Sequence, residues 1–203
     1  MSIITKIEVQ KKDETRANIY LDDAFYSGIS IESVIKNHLK KGMEIDRDAL
    51  DEIILADEKT VAMSKAVKYM GGALKTKKQI RDYLKKKEFG VPTIEYVIDK
   101  MIEYKYLDDE AYARSFMLTY SSKYGKLKLK SQLKQKGVAE TIIETLLNEE
   151  IEIEDSLEKV AEKYLKNKEI NEKNIIKLAR FLSSRGYEFD KINGYISRLR
   201  KGE

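Results

Sequence analysis

The chain has 203 residues, and its 39 lysines and arginines are nearly balanced by 35 aspartates and glutamates, so the net charge is only +4. Charged residues make up 36% of the sequence, against about 25% in an average globular domain. This composition predicts much exposed surface per residue, as in elongated helical proteins. With one proline and ten glycines, the chain has no low-complexity run and no long segment typical of disorder.

Missing residue types exclude several kinds of site. The absence of cysteine excludes disulfides, thiolate metal sites and cysteine nucleophiles. The one histidine, His38, lies near the predicted end of a helix and is better interpreted as a partly exposed helix residue than as a general base. No phosphate-binding loop motif occurs, and Gly71-Gly72 is interpreted as a link between helices. We therefore expect no enzymatic activity, no catalytic residue, no cofactor and no metal.

Two further features predict where the protein acts. No apolar run reaches the roughly 20 residues that a membrane span needs, and the opening residues MSIITKIEVQ lack the layout of a signal peptide. A cytoplasmic protein without membrane contact is expected.

The first 56 residues predict a small α+β domain. Apolar and polar residues alternate from Ile3 to Val9 and from Ala17 to Leu21, with KKDET between them, which predicts a β-hairpin. FYSGI is a candidate third strand. SIESVIKNHLKKG predicts a helix with Ser30 or Ser33 as its cap and Gly42 at its end, and a second helix is expected to start near Asp46.

The rest of the chain repeats with a shift of 49 residues and no gap. Apolar positions four residues apart recur in every copy, so the KLKL segment is predicted to be helical although it alternates as a strand would. The matched positions are Ile80, Leu129 and Leu178; Leu84, Leu133 and Leu182; Ile94, Ile143 and Ile192; Ile98, Leu147 and Ile196; and Ala62, Ala111 and Val160.

Each copy predicts three helices. The first helices lie near 59–70, 109–121 and 156–167, the second near 75–87, 125–136 and 173–185, and the third near 92–104, 140–149 and 189–200. The expected fold is mainly α: three tandem three-helix-bundle repeats in an elongated curved row, preceded by the small N-terminal α+β domain with its β-hairpin. The predicted domains are 1–56, 57–107 (repeat 1), 108–155 (repeat 2) and 156–203 (repeat 3), and a monomer is expected.

Lysines are concentrated on the second helices. In repeat 2, Lys123, Lys126, Lys130 and Lys134 fall in one stripe beside the buried edge of a helical wheel. No acidic residue occurs between Ala111 and Ala139, whereas 140–158 contains eight acidic residues and no basic one. A lysine-rich face is often merely solvated, but its recurrence in successive repeats favours a surface that binds a phosphate backbone or an acidic protein groove.

Two adjacent motifs carry a family resemblance. YLDDEAYARSF (106–116) followed by YGKLKLKSQLKQKGV (124–138) is similar to the central motif pair of the RecX family of bacterial recombination regulators. The triple repeat matches the architecture of that family, and Lys126 stands where members often have proline. The resemblance implies a non-enzymatic regulator that binds the RecA–DNA filament along its groove. Such proteins block filament extension or promote disassembly, and so reduce strand exchange and ATP hydrolysis.

Candidate contact residues follow from the basic stripes together with this resemblance. The partner-binding residues predicted are Arg114, Lys123, Lys126, Lys130 and Lys134, with a second set of Lys77, Lys78, Arg81 and Lys85. Tyr112 and Phe116 are predicted to be core residues, and Asp108 and Asp109 to be helix caps.

Direct binding of single- or double-stranded DNA through backbone phosphates is the alternative function. A helix-turn-helix protein reads bases with polar residues near the start of its recognition helix. Here the third helices, VPTIEYVIDKMIEY and AETIIETLLNEE, are apolar and acidic, so base reading by them is not expected.

Overall fold

A computed structural model describes residues 1–148 and 156–201. Backbone contacts divide the chain into two compact units: Met1–Ala73 with Ile80–Tyr106, and Leu74–Gln79 with Leu107–Glu203. In the described part of the chain no helix is both long and apolar enough to cross a membrane.

The N-terminal residues form a four-stranded antiparallel sheet. Its strands are β1 (Ser2–Gln10), β2 (Asp13–Leu21), β3 (Ala24–Ser30) and β4 (Glu44–Ile45), in the order β3-β2-β1-β4. Ile7 pairs with Ile19 and Val9 with Ala17 across the hairpin. Alternation leaves Ile4, Ile19, Leu21 and Ile29 on the buried face. The predicted hairpin and third strand are therefore confirmed.

The first helix is shorter than predicted. It is α1 (Ile31–Lys36), and Ser30 is its N-cap, accepting a hydrogen bond from the amide of Ser33 at 3.0 Å. Gly42 was predicted at the end of this helix, and that prediction is wrong. The helix ends at the Asn37 cap, and Gly42 lies in the following loop with φ +82°.

One long helix replaces two that were predicted. A helix starting near Asp46 and another over 59–70 were expected, but α2 runs unbroken over Arg47–Met70 and ends at Gly71 with φ +55°. No glycine or proline interrupts this stretch, so nothing in the backbone stops the helix. Asp57, buried in α2, accepts hydrogen bonds from the amide and hydroxyl of Ser30, which fixes the start of α1.

The remaining helices follow the predicted repeats closely. They are α3 (Lys77–Lys86) and α4 (Val91–Glu103) in repeat 1; α5 (Asp109–Tyr120), α6 (Lys126–Gln135) and α7 (Glu140–Asn148) in repeat 2; and α8 (Leu157–Leu165), α9 (Glu172–Ser184) and α10 (Phe189–Lys201) in repeat 3. The matched residues of the second helices are fully buried, namely Ile80, Leu129, Leu178, Leu84, Leu133 and Leu182. The three-helix repeats are confirmed.

The ungapped shift fails for the first helix of repeat 2. Ala62 and Ala66 are buried in α2, and a shift of 49 predicts Ala111 as a buried counterpart. Ala111 is exposed, and the buried apolar residues of α5 are Ala113 and Met117. The buried pair is therefore shifted by 51 residues instead of 49. The link between first and second helices accounts for one of these two residues, because it has six residues between α2 and α3 but five between α5 and α6.

Successive second helices meet end to end. The Thr76 hydroxyl, just before α3, donates to the Lys136 carbonyl at the end of α6 at 2.6 Å. At the start of α6, the Gly125 amide donates to the Arg185 carbonyl at 3.0 Å. The start of one helix thus satisfies free carbonyl groups at the end of the next, and it places opposite ends of the helix dipoles together.

Candidate partner-binding surface

The predicted contact residues lie on three helices and one turn. Arg114 is on α5, and Lys126, Lys130 and Lys134 are on α6. Lys123 was placed on the same helical stripe, but α6 starts at Lys126 and Lys123 lies in the preceding turn. The break occurs because Gly125 adopts extended backbone as the N-cap of α6. The second set lies on α3, with Lys77 and Lys78 in the second unit and Arg81 and Lys85 in the first.

Carboxylates from α7 pair with the lysines of α6. Lys130 Nζ lies 3.0 Å from Glu140 Oε1 and 2.9 Å from Glu144 Oε1, and Lys134 Nζ lies 2.6 Å from Glu140 Oε1. The hydrogen bond donated by Lys134, followed in importance by the one from Lys130, lowers the pKa of Glu140. The hydrogen bonds that Lys130 donates to Glu144 and Glu140 raise the pKa of Lys130. We call Lys130, Lys134, Glu140 and Glu144 the α6–α7 cluster. Its four formal charges sum to zero.

Repeat 1 contains the same pair one period earlier. Arg81 precedes Lys130 by 49 residues, and Glu95 precedes Glu144 by 49. Arg81 binds Glu95 through two hydrogen bonds of 2.7 and 2.8 Å, which lower the pKa of the Glu95 carboxyl. In both repeats this pair therefore joins the second helix to the third. Arg81 and Lys130 were predicted to contact a partner, but here each binds a carboxylate of its own repeat.

Arg114 also has a partner within its own helix. Its guanidinium lies 3.2 Å from Glu110 Oε1, one turn earlier on α5. This pair is largely exposed and contributes little to stability.

The start of α6 carries two exposed cations of a different kind. Among residues 1–148 and 156–201, Lys123 and Lys126 form no ion pair, and both side chains are exposed. Leu127 follows them with 55% of its surface exposed. Within the described ranges, this end of α6 therefore offers two positive charges without an ion-pair partner beside an exposed apolar side chain.

The paired acids at the start of α5 cap two different helices. Asp108 accepts hydrogen bonds from the amides of Glu110 and Ala111, both at 2.9 Å, at the start of α5. Asp109 is buried and accepts from the amide of Lys77, the first residue of α3, at 2.9 Å. The prediction that both acids are caps is confirmed. The sequence around Asp109 did not show that its side chain caps α3, which is distant along the chain.

The remaining predicted core and link residues take the expected places, but His38 does not. Tyr112 and Phe116 are partly buried and pack against the core of repeat 2, as predicted. Gly71 and Gly72 link α2 to α3 with positive φ, also as predicted. His38 was predicted to be a helix residue, and that prediction is wrong: it is exposed, lies two residues after the end of α1 and has φ +53°.

Comparisons with known proteins identify the family. Family models match the Regulatory protein RecX N-terminal domain at residues 2–46, the first three-helix domain of RecX at 62–101 and the second at 108–147. Together these segments cover more than half of the chain. The chain belongs to the RecX family.

Curated RecX proteins resemble this chain along nearly its whole length. Regulatory protein RecX of Clostridium tetani is 37% identical over 202 residues, covering 97% of this chain and 94% of that protein. Regulatory protein RecX of Bacillus velezensis is 33% identical over 204 residues, covering 98% of this chain and 78% of that protein.

Solved RecX structures share the fold. A crystal structure of regulatory protein RecX aligns with a TM-score of 0.66 and 26% identity, covering all of both chains. The structure of RecX from Lactobacillus salivarius aligns with a TM-score of 0.61 and 24% identity, covering 71% of this chain and 98% of that one.

The sequence did not lead us to predict the two carboxylates of the α6–α7 cluster as part of the candidate surface. Glu140 and Glu144 lie within hydrogen-bond distance of the α6 lysines, but the count of charges along the chain assigned them to a separate acidic segment. The sequence did contain a signal for this pairing. Arg81 and Glu95 have the same spacing along the chain as Lys130 and Glu144, and the second pair follows the first by one repeat period. The Thr76–Gln79 capping box, whose side chains bind each other's amides at 3.0 and 3.2 Å, was also readable from the sequence.

Proposed function

We propose that this RecX-family protein is a non-enzymatic regulator that binds the RecA–DNA filament along its groove and inhibits recombinase activity and ATP hydrolysis. It would act in the cytoplasm by blocking filament extension or promoting disassembly. Family membership over nearly the whole chain is the observation that supports this proposal, since the curated relatives are named regulatory proteins.

The charge arrangement of the described residues supports electrostatic association with a large anionic assembly. Lys123 and Lys126 are exposed and unpaired among those residues, so they remain available to carboxylates or phosphates of a partner. Contacts of this type raise the association rate and weaken as salt screens them.

The first test is the single-stranded-DNA-dependent ATP hydrolysis of RecA, titrated with this protein from far below equimolar upward. Inhibition at substoichiometric ratios is expected, because one molecule that acts on a filament affects many subunits. A control without RecA should show no ATP hydrolysis by the protein itself. Inhibition only in excess, in proportion to DNA occupancy, would contradict the proposal.

A charge-reversal variant tests the start of α6. Lys123→Glu/Lys126→Glu is expected to weaken inhibition of RecA by about tenfold at low salt, since it replaces two attractive charges by two repulsive ones. The fold should be preserved, because a carboxylate is favourable in the first turn of a helix. Melting followed by circular dichroism checks this.

A matched control makes the same change of net charge elsewhere. Lys11→Glu/Lys12→Glu lies in the β1–β2 turn, where both side chains are exposed. This control should inhibit RecA like the unmodified protein. Equal loss of inhibition by both variants would mean that net charge matters and that the α6 position does not.

Direct binding to DNA phosphates remains a second candidate function, and the same two lysines favour it. Measuring the affinity of the Lys123→Glu/Lys126→Glu variant for free DNA separates the two. Loss of RecA inhibition with unchanged DNA affinity supports the filament regulator, whereas parallel loss of both supports DNA binding.

A further inference from the structure

Position 140 distinguishes repeat 2 from the other two repeats. The first residue of the third helix is Val91 in α4, Glu140 in α7 and Phe189 in α10, and successive members are 49 residues apart. Val91 and Phe189 are 70% and 74% exposed. Packing therefore places no demand on this position, and in repeat 2 it holds a carboxylate that contacts two lysines.

The paired carboxylates change what the basic helix can bind. A phosphate that approached Lys130 or Lys134 would come close to Glu140 and Glu144, which already lie within 3.0 Å of those ammonium groups. Like charges at such distances repel, and the counterions of DNA are released only where cations face its phosphates. The α6–α7 cluster therefore opposes binding to a uniform polyanion.

A protein surface is a better match to this face of repeat 2. Proteins carry both signs of charge, so their basic groups can approach Glu140 and Glu144 while their acidic groups approach Lys123 and Lys126. Exposed Leu127 adds an apolar contact, and interfaces between proteins combine such a contact with a polar rim. A phosphodiester backbone offers neither cations nor apolar side chains.

We infer that Glu140 and Glu144 determine specificity: they fit the α6–α7 face to a protein partner of mixed charge and restrict its binding to the nucleic-acid backbone. The identity of that partner as the recombinase rests on the proposed function, whereas the restriction of DNA binding does not.

The test compares Glu140→Gln/Glu144→Gln with the unmodified protein by fluorescence anisotropy, using a labelled oligothymidine and a labelled duplex over a range of NaCl concentrations, without recombinase. Because the variant frees Lys130 and Lys134 from their ion pairs, its affinity for DNA should be about tenfold higher near 0.1 M salt. The slope of log affinity against log salt should steepen by about 1.4 for the single strand and about 1.8 for the duplex.

A control variant changes net charge equally but releases no lysine. Glu162→Gln/Asp190→Asn removes two exposed carboxylates in repeat 3 that form no ion pair within the described ranges. It should leave the salt slope unchanged. Glu140→Val, which introduces the repeat 1 residue, provides a second variant and should tighten DNA binding in the same direction.

Unchanged DNA affinity in both Glu140 variants, or an equal gain in the control, would overturn the inference. The recombinase assay gives an independent readout, because Glu140→Gln/Glu144→Gln should inhibit RecA several-fold less while binding DNA more tightly. Stronger inhibition together with tighter DNA binding would also overturn it, since general electrostatic attraction would then explain both. Failure of the unmodified protein to inhibit RecA would contradict the proposed function and leave the DNA result standing.

Discussion

Replacing Leu133 with alanine is expected to lower the free energy of unfolding by about 2–5 kcal/mol. The Leu133 side chain is fully buried on α6 and belongs to the core of repeat 2 with Met117, Val138 and Ile143. Truncation removes apolar contacts and leaves a cavity that the surrounding helices fill only partly. Hydrogen exchange of the α6 amides measures the loss locally, which suits a chain that divides into two compact units.

The matched control is Leu127→Ala on the same helix. Leu127 is 55% exposed, so this substitution should change stability by no more than about 0.5 kcal/mol. Similar effects at the two positions would mean that α6 does not bury the face that the repeat period predicts.

Alanine at Gly186 is expected to cost about 2–5 kcal/mol. Gly186 has φ +81°, where an L-residue pays roughly 1–2 kcal/mol. Its Cβ would also lie 2.3 Å from the Lys128 amide nitrogen and 2.4 Å from Lys128 Cβ. Relieving these contacts requires the start of α6 to move away from the end of α9, which adds about 1–3 kcal/mol of overpacking.

Gly194→Ala is the control for this prediction. Gly194 lies within α10, and apart from its chain neighbours and the backbone of its own helix no atom lies within 4 Å of a Cβ placed there. Because alanine restricts the unfolded chain and favours a helix, this substitution should stabilise the protein by about 0.5–1 kcal/mol. Both free energies are again measured by hydrogen exchange, at α6 and α9 for Gly186→Ala and at α10 for Gly194→Ala. Equal effects would show that α6 and α9 do not meet in solution as described.

The helical repeats could be predicted because burial of a helix face is a local property. A side chain that enters a core must be apolar, and positions three or four residues apart share that face. Ile80, Leu129 and Leu178 carry this signal, and all three are fully buried. The first helices carried it less well, because Ala113 and Met117 lie two positions away from the predicted register and the shorter link before α6 accounts for only one of them.

The charges could not be paired from the sequence in the same way. Lysines on α6 and carboxylates on α7 occupy separate parts of the chain, and counting along it described a basic half followed by an acidic half. Only residues 136–139 separate the two helices. The reversal there places Glu140 beside both Lys130 and Lys134 and neutralises much of the predicted basic stripe.

The sequence by itself determined the N-terminal hairpin, the three-helix repeats, the buried positions of the second helices and the resemblance to the RecX family. Only the tertiary structure decided which charges face each other and which helix ends meet. Those features depend on distance in space: Gly125 and Gly186 are 61 positions apart, yet a Cβ on Gly125 would lie 2.3 Å from the Gly186 carbonyl oxygen. Local periodicity indicates which side of a helix is buried. The residues that contact its exposed side come from other parts of the chain, so they are determined by the packing of the whole unit.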